Sequence, residues 1–124
     1  MIDYEKELNS EQLKVVREEG GQLLVLAGAG SGKTRTITYR VAYLLERGIP
    51  PENILLATFT NKAARSMLSR VEGLTRTYTG KIIGGTFHHI AHVILRRYAA
   101  LLGYNANFSI IDSEDSRQLI STCI

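Results

Sequence analysis

The chain has one cysteine, two prolines and no tryptophan in 124 residues. A single thiol, Cys123, excludes an internal disulfide and fits a reducing cytoplasm, so packing rather than covalent staples must hold the fold. Long apolar runs are also missing. The longest cover only a few residues, far short of the ~18–20 that a membrane-crossing helix requires. No basic segment followed by an apolar one opens the chain, so no secretory signal is expected. Neither sign of charge dominates. Fifteen basic against twelve acidic residues leave +3, which permits a nucleic-acid partner and equally describes an ordinary, slightly basic soluble protein. With 44% hydrophobic and 22% charged residues, the remaining class is a single globular domain.

Apolar runs alternate with helical patterns at intervals near thirty residues, without repeats or low-complexity linkers. Asn9 or Ser10 can cap a helix running to about Glu19, with Gly20-Gly21 ending it. Gln22 to Ala27 (QLLVLA) is a continuous apolar run, as expected of a strand buried on both faces. From Lys33 to Arg47, Ile37, Val41, Leu44 and Leu45 share one helical face, and Gly48 with Pro50-Pro51 stops that helix. Ile54 to Phe59 predicts a second strand. A helix follows, capped by Thr60 or Asn61, with Ala64, Met67, Leu68 and Val71 inward. A third strand is predicted over Lys81 to Phe87 and a helix over His88 to Leu102, closed by Gly103. Phe108 to Ile111 is short and apolar, and Asp112 or Ser113 can cap a last helix that reaches Ile124 in mid-pattern. Strand and helix in alternation predict an α/β fold with a parallel sheet flanked by helices.

Between the first strand and its helix lies Ala27-Gly28-Ala29-Gly30-Ser31-Gly32-Lys33-Thr34, which matches G-x-x-x-x-G-K-[ST] except for Ala27 in the first glycine's place. The position after a buried strand and before an amphipathic helix makes the match specific for a P-loop. Gly28, Gly30 and Gly32 allow a tight turn with inward N–H groups, and the helix N-terminus adds positive partial charge. Lys33 would reach the β- and γ-phosphates of ATP, and the Thr34 hydroxyl would ligate Mg²⁺; these two are the candidate catalytic residues. A dinucleotide site would need glycine where Lys33 stands, so G-x-G-x-x-G fails.

LNSEQLKVV, AGAGSGKTRT, ATFTNKAARSM and GGTFHHI follow one another in an order and spacing that resemble the UvrD/Rep/PcrA-like superfamily 1 DNA helicases. The likeness covers almost the whole chain and implies a RecA-like P-loop NTPase fold, here truncated. Residues 1–93 would be the N-terminal part of a first motor domain, and residues 94–124, with LRRYAALLGYNANFSIIDSED, the start of an inserted helical subdomain. Members of that family are ATP-driven translocases that move 3′ to 5′ on single-stranded DNA and separate duplexes. The resemblance thus implies ATP and Mg²⁺ as cofactors, and single-stranded DNA and duplex junctions as partners.

Residue by residue, Gln12 matches the glutamine that hydrogen-bonds adenine. Asn9-x-x-Gln12 also reads as a helix-capping box. Arg35 matches an arginine beside the nucleotide; otherwise it is a solvated helix charge. Phe59, Thr60, Asn61 and Lys62 match motif Ia, and Thr86, Phe87 and His88 match motif Ib, both on the DNA side. An aromatic ending a strand can stack on a base for ~1–3 kcal/mol, although Phe59 could equally complete a core. His88 and His92 have zinc-compatible spacing without a converging third ligand. Arg96 and Arg97 fit a solvated helix better than a binding face.

Hydrolysis requires a Mg²⁺-holding carboxylate after a strand and a second acid. The family places these, and its arginine fingers, farther along than Ile124. The expectation is an N-terminal helicase fragment that keeps nucleotide contacts, hydrolyses ATP negligibly and, with an incomplete sheet, is prone to self-association. A small self-contained P-loop kinase or regulatory switch would need Asp112 as its metal carboxylate, and Asp112 reads as a helix cap. A nucleic-acid-binding module with a vestigial P-loop is the third alternative.

Overall fold

The computed structural model describes residues 2–123. Two compact units divide the chain, the first ending at Ile90 and the second beginning at Ala91. In the first unit, α1 (Tyr4–Glu7) and α2 (Ser10–Arg17) precede α3 (Lys33–Glu46), and β1 (Leu55–Thr58), α4 (Asn61–Thr75) and β2 (Ile83–Thr86) follow. Strands β1 and β2 pair in parallel, with Leu55 opposite Ile83 and Thr58 opposite Thr86. The crossover between them is α4, as parallel pairing demands. The architecture is therefore α/β, and the sheet has two strands among the described residues.

Each helix begins where a side chain can accept an orphan N–H. Asn9 caps α2 in a complete capping box with Gln12, and the Thr60 hydroxyl accepts from Ala63 N–H at the start of α4. Helix α3 is the exception: its N-cap is Gly32, in the left-handed conformation and without a side-chain cap. Gly20 and Gly21, both at positive φ, lie beyond the end of α2.

Two apolar clusters hold the unit. Val41, Ile54, Leu56, Met67, Val71 and Ile82 join α3 and α4 to the sheet. Tyr4, Leu8, Val16 and Tyr39 join α1 and α2 to the opposite side of α3. Because α3 packs against both α2 and α4, its buried arc is wider than one stripe and includes Thr36, Thr38, Tyr39, Val41 and Ala42. Ile37, predicted to face the core, is 45% exposed. A Cβ on Gly84 would stand 2.7 Å from Leu68 Cδ1, so glycine there lets α4 close onto the sheet.

One predicted strand does not form. Gln22 to Ala27 has no strand pairing, and Leu24 and Leu26 are 85% and 89% exposed. A parallel strand needs neighbouring backbone to satisfy its N–H and C=O groups, and none of the described residues pairs with this run. The other two strands are shorter than predicted, and Phe87 is the first residue of a helix rather than the last of a strand.

That helix, α5 (Phe87–Tyr98), passes from the first unit into the second. It gives way to a 3-10 turn over Ala99–Leu102, where one continuous helix was predicted, and left-handed Gly103 closes the turn. In the second unit, Phe108 to Ile111 forms no strand, and Asp112 caps α6 (Ser113–Thr122) through the N–H groups of Glu114 and Asp115. No helix among the described residues is long and apolar enough to cross a membrane.

Candidate functional site

The glycine loop turns sharply before α3. The Gly28 carbonyl accepts from Ser31 N–H at 3.3 Å and from the Ser31 hydroxyl at 2.7 Å. Gly30 and Gly32 have φ of 75° and 83°, a region open to glycine at little cost. The first α-helical bond of α3 runs from Thr36 N–H to the Gly32 carbonyl. Lys33, Thr34 and Arg35 therefore carry N–H groups with no intrahelical acceptor, at the positive end of a fourteen-residue helix dipole. Lys33 is exposed, and its Nζ donates to the Ala27 carbonyl at 3.2 Å, folding back toward the loop.

Gln12 reaches this loop from α2. Its side-chain oxygen accepts Asn9 N–H, while its Nε2 donates to the Ser31 carbonyl at 3.1 Å. Capping and loop contact thus coexist in one amide group. A Cβ on Gly32 would meet that Nε2 at 2.6 Å and push the amide aside, while the left-handed backbone at φ 83° is what favours glycine there. A cavity of about 290 Å³ in front of the loop is lined by Gln12, Ala27, Gly28, Ser31 and Lys33, among others. Its donors suit a polyphosphate: an ammonium, glycine backbone and an uncapped helix N-terminus.

Arg35 does not line that cavity. Its guanidinium grips the end of α1 through the Glu7 carbonyl at 2.8 Å and the Glu7 carboxylate at 2.6 Å. It also lies 4.9 Å from the centre of the Tyr39 ring. Tyr39 Oη donates to Glu7 Oε2 at 2.9 Å. The Tyr39 hydroxyl, and then Arg35, hold the Glu7 carboxyl below the usual carboxylate range. Burial, and then Glu7, push the Tyr39 hydroxyl up. Sequence reasoning missed Glu7, Tyr39 and Arg40, whose Nη1 collects the Val15 and Val16 carbonyls at the end of α2. These partners lie 24 to 32 residues apart, so no local pattern signals them.

At the C-terminal end of the sheet, Phe59 is 92% and Phe87 62% exposed. Their rings meet edge to face with centroids 6.4 Å apart. Phe59 completes no core. Asn61 does not cap α4 but accepts Thr86 N–H at 3.2 Å. Lys62 and His88 are exposed beside them in sequence. The residues after β1 and those after β2 thus share one face through two contacts.

In the second unit, His92 Nε2 accepts from Arg96 Nε at 2.8 Å, and the Arg96 guanidinium lies over the Phe108 ring. Arg96, expected to be solvated, is instead bonded to the Ala106 carbonyl and half-buried. Among the described residues no three His, Cys, Asp or Glu side chains gather as a metal site. Asp112 is engaged as a cap, which leaves the kinase alternative without its metal carboxylate.

Sheet, crossover helix and glycine loop define an α/β unit with a candidate anion cradle at a helix N-terminus. The family described as UvrD/REP helicase N-terminal domain matches residues 8–124. The chain is 51% identical over 116 residues to the ATP-dependent DNA helicase PcrA of Staphylococcus epidermidis, covering 93% of this chain and 16% of that protein. It is 48% identical over 114 residues to the PcrA helicase of Staphylococcus aureus, covering 91% of this chain and again 16% of the relative. The chain belongs to the UvrD/REP helicase N-terminal domain family, and it spans about 16% of the length of these relatives.

Proposed function

We propose that the chain is the ATP-binding and single-stranded-DNA-contacting part of the first, RecA-like motor domain of an ATP-dependent 3′–5′ DNA helicase. Residues 1–93 belong to the motor and 94–124 to a helical insertion. The observation that carries the reading is the loop itself: Lys33 folded onto Ala27 and Gln12 hooked to Ser31, at the uncapped start of α3.

Gly28 to Thr34 would surround the phosphates, Lys33 neutralising their charge and the Thr34 hydroxyl holding Mg²⁺. Gln12 and Arg35 would attend the base. ATP supplies the phosphoanhydride whose cleavage drives translocation in such motors. Phe59, Thr60, Asn61, Lys62, Thr86, Phe87 and His88 would face DNA, the two exposed rings offering stacking surfaces and the α4 N-terminus a phosphate contact. The reading places the chain in the cytoplasm, acting with the rest of a helicase at single strands and duplex junctions.

Hydrolysis needs a Mg²⁺-holding carboxylate after a strand and a second acid, and Asp112, the candidate the sequence offers, is engaged as a helix cap; on this reading the chain alone would bind MgATP with negligible turnover. Calorimetric titration with MgATP and steady-state ATPase assays, with and without single-stranded DNA, test this. Binding lost in Lys33→Ala and no turnover are expected. Absence of binding would overturn the nucleotide reading, and brisk Lys33-dependent turnover would overturn the inactivity. DNA affinity should fall with salt, with a log–log slope of about 0.7 per phosphate neutralised. A flat response would remove the DNA role.

A further inference from the structure

The Gln12 amide and the Cβ of Arg35 both lie near Gly32, while the Arg35 guanidinium is bound at Glu7. The position a Cβ would take on Gly32 is 2.6 Å from Gln12 Nε2 and 4.0 Å from Arg35 Cβ. Arg35 is the third residue of α3, so its stem starts beside the phosphate cradle while its head is held elsewhere. Nε and Nη2 both donate to the Glu7 carbonyl, at 3.3 and 2.8 Å. Nη2 also meets the Glu7 carboxylate at 2.6 Å and Tyr39 Oη at 3.4 Å. Tyr39 Oη in turn donates to the same carboxylate oxygen at 2.9 Å. One face of the guanidinium lies on the Tyr39 ring.

This arrangement fixes the plane without using it up. None of these bonds involves Nη1, and the Arg35 side chain remains 48% exposed. An arginine held by its edge and one face keeps the other face for a planar aromatic group. An arginine without such partners would lose rotamer freedom on meeting a ligand, and prior anchoring removes that cost. Anchoring to Glu7 also offsets the arginine's charge, which weakens its pull on phosphates and leaves stacking as its main contribution.

We infer that Glu7 and Tyr39 are positioning residues that hold Arg35 for the base end of a bound nucleotide, while the loop alone holds the phosphates. The inference rests on the nucleotide reading above and adds to it a division of labour within the site. Glu7 and Tyr39 act through Arg35 and do not themselves touch the ligand.

Calorimetric titration of the chain with MgATP and with magnesium tripolyphosphate, which has no base, separates the two ends. Glu7→Gln is expected to weaken MgATP about three- to tenfold and to leave tripolyphosphate within about twofold, as loss of preorganisation at one end predicts. Tyr39→Phe, which keeps the buried ring, should do the same and guards against a folding defect in Glu7→Gln. In an Arg35→Ala background, Glu7→Gln should have no further effect. Parallel weakening of both ligands would make Glu7 merely structural and overturn the inference. So would weakening of MgATP by Arg35→Ala but by neither Glu7→Gln nor Tyr39→Phe; the nucleotide reading would survive that result. If Lys33→Ala left both ligands bound as before, that reading and the inference would fall together.

Discussion

The Asn61 side-chain oxygen accepts the backbone N–H of Thr86 across 25 residues of sequence. Asn61 opens α4 and Thr86 ends β2, so one hydrogen bond ties together the segments leaving the two strands. The exposed rings of Phe59 and Phe87 meet on the same face. Asn61→Ala should cost about 0.5–1.5 kcal/mol, the net worth of one hydrogen bond. It should also weaken binding of a fluorescent single-stranded oligonucleotide, read by anisotropy. Loss of stability with unchanged DNA affinity would confine Asn61 to a structural role.

Two caps invite comparison. Thr60→Ala removes the acceptor for Ala63 N–H and should lower the urea midpoint by the equivalent of ~1 kcal/mol. Asp112→Ala removes the acceptor of two N–H groups at the start of α6. Its expected signature is faster amide exchange over residues 113–122.

Gly32→Ala should be worse than an ordinary glycine substitution. A non-glycine residue in the left-handed region costs ~1–2 kcal/mol, and the new methyl would displace Gln12 from the Ser31 carbonyl. Adding Gln12→Ala should recover part of the loss, because the clash is relieved and the strain is not. Simple additivity in thermal denaturation would argue against the clash.

The titrating groups predict a plateau in stability. The Glu7 carboxyl is held low chiefly by Tyr39, and that of Glu72 by the Thr79 N–H and hydroxyl. Their contribution is present above the unfolded carboxylate range, about pH 4.3, and fades as pH falls through the folded values. Burial and the hydrogen bond to Glu46 raise the Tyr4 hydroxyl above its ordinary range. Its contribution is complete below about pH 10 and is lost as pH rises beyond that. Urea midpoints across pH should therefore fall on both sides of neutrality, and Glu72→Gln should flatten the acid limb. An unchanged acid limb would show that Glu72 contributes nothing there.

Much of this fold was legible because its signals are local. Asn9 with Gln12 and Thr60 with Ala63 mark the starts of α2 and α4, each being one of the two caps the pattern offers, and Gly103 closes a 3-10 turn rather than the expected α-helix. Glycines of the loop were equally readable, since positive φ at Gly30 and Gly32 is a property of the residue itself. The Gln22 to Ala27 run was misread for a non-local reason. Its composition reports a demand for burial, whereas a strand also needs a neighbour's backbone, which a window of six residues cannot show. Ile37 failed similarly: the face that α3 buries is set by α2 and α4 on its two sides. The resemblance implies Arg35 beside a nucleotide, with a solvated helix charge as the alternative, and neither reading points to its anchor, Glu7, 28 residues earlier, beyond any helical or strand periodicity.

The bond from Lys33 to the Ala27 carbonyl has a bearing on selectivity. A neutral peptide oxygen is a modest acceptor for an ammonium ion, strong enough to keep it at home and too weak to compete with several formal negative charges. An uncharged nucleoside offers nothing better and would leave this internal tether closed. On the proposed nucleotide reading, a ligand with formal negative charge would draw the ammonium away from this carbonyl and an uncharged one would not.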